Sequence, residues 1–114
     1  MRNIIAEKSF QFAIQIVNLS KSLYDEKHEY VLSRQLLRSG TSIGANIAEA
    51  QQAQSRPDFI SKLSIALKET SETKYWLRLL NATGYLSDLR FEPAMKECIE
   101  IEKILVTIIK SLKK

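Results

Sequence analysis

The chain is short of the residues that carry most enzymatic and redox chemistry. It holds one cysteine, Cys98, so no disulfide can form within it. It holds one histidine, His28, which excludes the two Glu-x-x-His pairs of a di-iron helical bundle. Glycine occurs only three times, and no glycine-rich loop follows a strand pattern, so phosphate cradles of the nucleotide-binding kind are excluded. Apolar runs are brief, as in Ile104-Leu105-Val106, against the roughly 20 residues a membrane-spanning helix needs. The opening Met1-Arg2-Asn3-Ile4 leads straight to charges at Glu7 and Lys8, without the apolar core of a signal peptide. With a single cysteine, this makes a cytoplasmic protein with no membrane contact the expectation.

What is present is helical periodicity. In 114 residues, 45% are hydrophobic and 26% charged, an ordinary globular balance, and the length suits one domain spanning 1–114. Ile5, Ser9, Phe12, Ile16, Leu19 and Leu23 step by four and three, and Ala6, Phe10, Ala13, Val17 and Tyr24 form a second row beside them. Two adjacent rows suit a helix with more than one neighbour. The polar run Asp25-Glu26-Lys27-His28 breaks the pattern. A second helix is predicted from about Glu29 to Ala53, with Leu32, Leu36, Ile43, Ile47 and Ala50 inward. Ser55-Arg56-Pro57-Asp58 reads as a capped helix start, with Ser55 as the cap and Pro57 in the first turn.

The third helix has the most regular seam: Phe59, Leu63, Ala66, Thr70, Thr73, Leu77 and Leu80, ended by Gly84. The fourth is predicted to become regular near Phe91 with Pro93 in its first turn, and to bury Met95, Cys98, Leu105, Ile108 and Leu112. Short connections between long helices give an all-α, antiparallel up-and-down four-helix bundle.

The stretch Arg38-Ser39-Gly40-Thr41-Ser42-Ile43-Gly44-Ala45-Asn46-Ile47-Ala48-Glu49-Ala50 is a poor helix by propensity, since each glycine costs about 1 kcal/mol against alanine. Gly40, Gly44 and Ala48 fall in one row, a smooth strip that lets another backbone approach closely. That approach is either packing within the chain or a subunit contact, and a break at 39–42 is the third reading. Trp76, beside the third seam, is read as core or interface packing, with base stacking beside Tyr75 as the alternative.

The same glycine-bearing run resembles a signature of the four-helix-bundle family of 23S rRNA intervening-sequence proteins. Asp58-Phe59 and Ala66-Leu67-Lys68-Glu69-Thr70-Ser71-Glu72-Thr73-Lys74-Tyr75-Trp76-Leu77 match it as well, and the likeness covers nearly the whole chain. Ala50 departs from the pattern, where glycine is more frequent. The resemblance implies a bundle assembling as a homopentamer with a central channel. It also implies kinship with the accessory protein of diversity-generating retroelements, a similar basic pentamer that binds nucleic acid. The family supplies no established activity.

Net charge is +4, compatible with an RNA or DNA partner. Arg34 with Arg38, and Lys74 with Arg78, place like charges four apart on two arms of one helical hairpin, at similar height. They make a candidate phosphate patch, unless Glu49, Glu69 or Glu72 neutralises them. Lys110, Lys113 and Lys114 are read as cations favoured at a helix C-terminus. Cys98 is read as a core residue, and Glu69/Glu72 and Glu97/Glu100 as solvated surface or inter-subunit salt-bridging carboxylates, so no catalytic residue, metal, cofactor or small-molecule substrate is assigned. Two readings follow. One is a self-assembling basic bundle that binds nucleic acid or a nucleoprotein. The other is a structural or adaptor oligomer recruiting another protein, with no nucleic-acid binding.

Overall fold

The computed structural model describes residues 3–113; Met1, Arg2 and Lys114 lie outside the described residues. Four helices follow one another: α1 (Ile4–Lys27), α2 (Leu32–Ala50), α3 (Arg56–Ala82) and α4 (Asp88–Leu112). Each packs on its neighbours in sequence, α4 closes back onto α1, and among the described residues no diagonal pair brings its backbones close. The result is an all-α up-and-down bundle, 44 × 23 × 20 Å, in which the α1/α2 face lies opposite the α3/α4 face. The α1–α4 seam is the sparsest of the four.

The helix ends have local causes. Asn3 Oδ1 accepts from the Ala6 amide at 3.1 Å and starts α1. The helix runs through Asp25-Glu26-Lys27, further than its polar composition suggests. It stops at His28, which takes the left-handed conformation (φ 55°) while the Glu29 amide donates to the Leu23 carbonyl at 3.0 Å. Glu29 is not the first residue of α2. Its carboxylate accepts from the Ser33 amide at 2.8 Å, so it caps a helix that begins at Leu32. That helix ends at Ala50 rather than Ala53, because Gln51, Gln52 and Ala53 tighten into three-residue turns on the Ala48, Glu49 and Ala50 carbonyls. Ser55 caps α3 through the Asp58 amide at 3.1 Å. Gly84 ends the run after α3 at φ 85°, and Asn81 Nδ2 bridges the Leu86 carbonyl and Asp88. α4 begins at Asp88, so Pro93 sits inside the helix, past its first turn. The carbonyl it leaves without a helical donor belongs to Leu89, an 85% exposed residue that water can serve.

The core is a column of interlocking rows. Ile5, Ser9, Phe12, Ile16, Leu19 and Leu23 of α1 are buried, as are Leu63, Ala66, Thr70, Thr73, Leu77 and Leu80 of α3. On α4 the buried row is Ala94, Cys98, Ile101, Leu105 and Ile109; Met95, Ile108 and Leu112 flank it half-buried. α2 is continuous through Ser39–Ser42, which removes the reading of a break there. Its polar residues return hydrogen bonds to their own helix: Thr41 to the Leu37 carbonyl and Ser42 to the Arg38 carbonyl, both at 2.6 Å. Ser39 and Thr73 share a buried hydroxyl–hydroxyl contact of 3.0 Å between α2 and α3.

Candidate assembly and nucleic-acid interface

Gly40 and Gly44 both face α1, and they face it differently. A Cβ at Gly40 would stand 2.7 Å from Ile16 Cγ2 and 2.8 Å from Cγ1, so the glycine is the space that Ile16 fills. A Cβ at Gly44 would meet the Ser9 carbonyl oxygen at 3.3 Å, a milder squeeze but still tighter than ordinary contact, so the α1 backbone would have to yield slightly. The close approach at these two glycines is therefore between α1 and α2 of one chain. Ala48, the third member of the row, is exposed.

Beyond this contact the α1/α2 face opens into a groove. Its lower part, of about 320 Å³, is lined by Ala6, Phe10, Ala13, Thr41, Gly44 and Ala48. Its upper part, of about 280 Å³, lies among Val17, Tyr24, Tyr30 and Leu37 with Lys21 and Arg34 at its edge. The second apolar row of α1 is the one that forms the wall. Phe10 is 64% exposed and Tyr24 54% exposed, with Val17 between them, each seven residues from the next. That is the spacing of a coiled-coil seam, on which the Tyr30 ring meets Tyr24 edge-on at 4.6 Å while Phe10 stays exposed. Ser20 Oγ, in the upper groove, is buried and has no hydrogen-bond partner among the described residues.

The four cations expected to make one patch are distributed over three faces. Arg34 lies at the rim of the α1/α2 groove. Arg38 is on the α2/α3 face, bonded to Glu69 at 3.1 Å and to Glu72. Lys74 crosses to α4 and pairs with Glu102 at 2.9 Å. Arg78 borders a shallow hollow with Tyr75, Leu79 and Phe91 between α3 and α4. Arg34 and Arg78 are at similar height on opposite faces, so the hairpin register is as expected but the side chains diverge. The reason is rotational: residues at one height on neighbouring helices can point a quarter-turn or more apart. Trp76 is half-buried against the core, and its Nε1 donates to Glu72 at 2.9 Å, which holds the indole on the Arg38 side.

The residues associated with chemistry are placed elsewhere. His28 is exposed at the end of α1, with Nδ1 3.1 Å from the Tyr30 hydroxyl. Cys98 is enclosed, its Sγ 3.5 Å from the Thr70 carbonyl, and burial pushes the thiol up to about 12. Glu97 and Glu100 are both bonded to Lys8 of α1, at 3.3 and 3.0 Å. Lys8 is raised and Glu100 lowered, each chiefly by the hydrogen bond to the other. Among the described residues no group of His, Cys, Asp and Glu could hold a metal, and no helix is long and apolar enough to cross a membrane.

Residues 1–107 match the family model described as 23S rRNA-intervening sequence protein. The chain belongs to that family. A crystal structure of a protein of unknown function from the S23 ribosomal protein family, from Bacteroides thetaiotaomicron VPI-5482, is 57% identical, with a TM-score of 0.92. The match covers 93% of this chain and 98% of that one. No curated protein matches. Two features of this intervening-sequence family member escape a reading of inward-facing stripes. Tyr30 and Leu37 complete the groove from the α2 side. Lys96, Lys103 and Lys110 stand exposed in a line on α4. The second is legible as a seven-residue repeat of lysine, hidden among the carboxylates of the same helix.

Proposed function

We propose that this chain is a non-enzymatic building block that assembles with copies of itself, as a homopentamer, and that the assembly binds nucleic acid. The observation that carries the reading is the α1/α2 groove. Ala6, Phe10, Ala13, Val17 and Tyr24 repeat the four-three step of a helix–helix seam over about 27 Å, yet Phe10, Val17 and Tyr24 are exposed. An exposed apolar strip of this length marks an interaction surface on a soluble protein. The orphan Ser20 hydroxyl in the same groove adds a polar group for a partner surface to satisfy. The pentamer itself comes from the family likeness. The nucleic-acid partner is supported by the net charge of +4 and by the basic kin that the likeness implies.

Sedimentation velocity on the paired variant Phe10→Glu, Val17→Glu tests the groove. Both side chains point to solvent in the single chain, so far-UV circular dichroism should be unchanged while the assembly falls to monomers. Sedimentation identical to the wild type would rule the groove out as the contact. Titration with a structured RNA and with single-stranded DNA tests the second half: binding should weaken steeply with salt. No binding at low salt would leave a purely structural oligomer.

A further inference from the structure

The four long faces of the bundle differ in how their charge is disposed. On α2/α3, Arg38 meets Glu69 and Glu72, and Lys62 meets Glu49. On α1/α4, Lys8 meets Glu97 and Glu100. The α1/α2 face is the apolar groove, with two cations at its edge, Lys21 and Arg34, that also lack an ion pair among the described residues. The remaining face, α3/α4, carries cations that the structure leaves unpaired. Lys96, Lys103 and Lys110 are exposed along the crest of α4, and Lys68 and Arg78 are exposed on α3. Among the described residues none of the five has a carboxylate within ion-pair distance.

The cause lies in the neighbouring helices. α4 is rich in acid, but Lys8 draws Glu97 and Glu100 toward α1, and Lys74 holds Glu102 at the α3 seam. Glu92 is exposed one turn before Lys96, and Glu100, one turn after it, also feels the Lys96 charge. Lysines seven apart are stacked two helical turns apart, about 10.5 Å. That interval is close to the rise of three phosphates along one strand, at about 3.4 Å each. A straight row of lysines at this pitch can meet a backbone at three points.

We propose that the α3/α4 face, with Lys96, Lys103 and Lys110 as its spine and Lys68 and Arg78 beside it, docks the phosphate backbone of a nucleic acid. The inference rests on the nucleic-acid reading above and assigns it a surface. Lysine ammonium groups act as point charges, so the contact reads phosphate and not base sequence. The face is opposite the groove, so it is separate from the α1/α2 surface of its own protomer.

The test is fluorescence-anisotropy binding of a labelled RNA hairpin and a labelled single-stranded DNA to the full chain across a salt series. Three proteins are compared: the wild type, the crest variant Lys96→Gln, Lys103→Gln, Lys110→Gln, and an off-face variant with equal charge loss, Lys27→Gln, Arg56→Gln, Lys62→Gln. The crest variant should bind on the order of a hundredfold more weakly at about 0.1 M salt, with a log–log salt slope shallower by about 3 per engaged protomer. The off-face variant should keep most of its affinity. If the wild type binds neither probe, the nucleic-acid reading and its surface fall together. Should the crest variant bind like the wild type, the surface assignment alone fails. Equal losses in both variants would mean that binding follows total charge, which also rejects the crest. Competition by poly-L-glutamate as effective as by RNA would reject a nucleic-acid partner in favour of any acidic chain.

Discussion

Gly40 shows how one missing side chain sets the distance between two helices. Its place in α2 costs about 1 kcal/mol in propensity, and that space is occupied by Ile16. Gly40→Ala recovers the propensity but forces a methyl to within 2.7 Å of Ile16, where overpacking costs about 1–3 kcal/mol. Urea unfolding should show a net loss of up to about 2 kcal/mol, with Gly44→Ala within about 0.5 kcal/mol of the wild type. A double-mutant cycle with Ile16→Ala should show coupling between the two positions. Cys98 gives a second residue-scale expectation. Its thiol is raised from near 9 to about 12 by burial, so it stays protonated in the folded state. The stability it contributes is complete below about pH 9 and is lost as pH climbs toward 12. Thiol reagents should leave the native protein unlabelled at pH 8 and react fully in denaturant; rapid native labelling would show that the site is open.

At the scale of helices, the rows of α1 and α3 were legible because each keeps one period from end to end. Ile5 to Leu23 and Leu63 to Leu80 are buried as their spacing dictates. The ends of α2 were less legible, since Glu29 has a helix former's propensity but acts as a cap from outside, an arrangement that depends on where Ser33 points. Pro93 misled for a related reason: proline marks a first turn by preference, and an exposed helix edge tolerates it deeper. Ser55 behaves as its position suggests, and Ser55→Ala should cost about 1 kcal/mol in thermal or urea unfolding. The Lys8–Glu97–Glu100 cluster joins α1 to α4 where the seam is sparsest. Glu100 is lowered, so its stabilisation is present above the usual carboxylate range near 4.5 and is lost as pH falls through its folded value. Lys8→Met should flatten that acid limb in a pH series of unfolding midpoints; an unchanged limb would show that the cluster contributes nothing.

For the whole molecule, the sequence pattern supplies the bundle but not the rotation of each helix about its axis, and the charges depend on that rotation. Arg34, Arg38, Lys74 and Arg78 have the register expected of one hairpin, yet they point to three faces. Two of them, Arg38 and Lys74, are met by carboxylates. The second row of α1 was visible as an unusually wide apolar face, and the fold leaves its Phe10, Val17 and Tyr24 exposed because α2 lies to one side of them. Assembly through that row is the claim on which the functional account depends. Light scattering of the purified wild-type chain, at micromolar concentration and moderate salt, tests it most directly. The account predicts a multiple of the 13.1 kDa chain mass, fivefold for the pentamer that the family likeness implies; a mass of 13.1 kDa would contradict it.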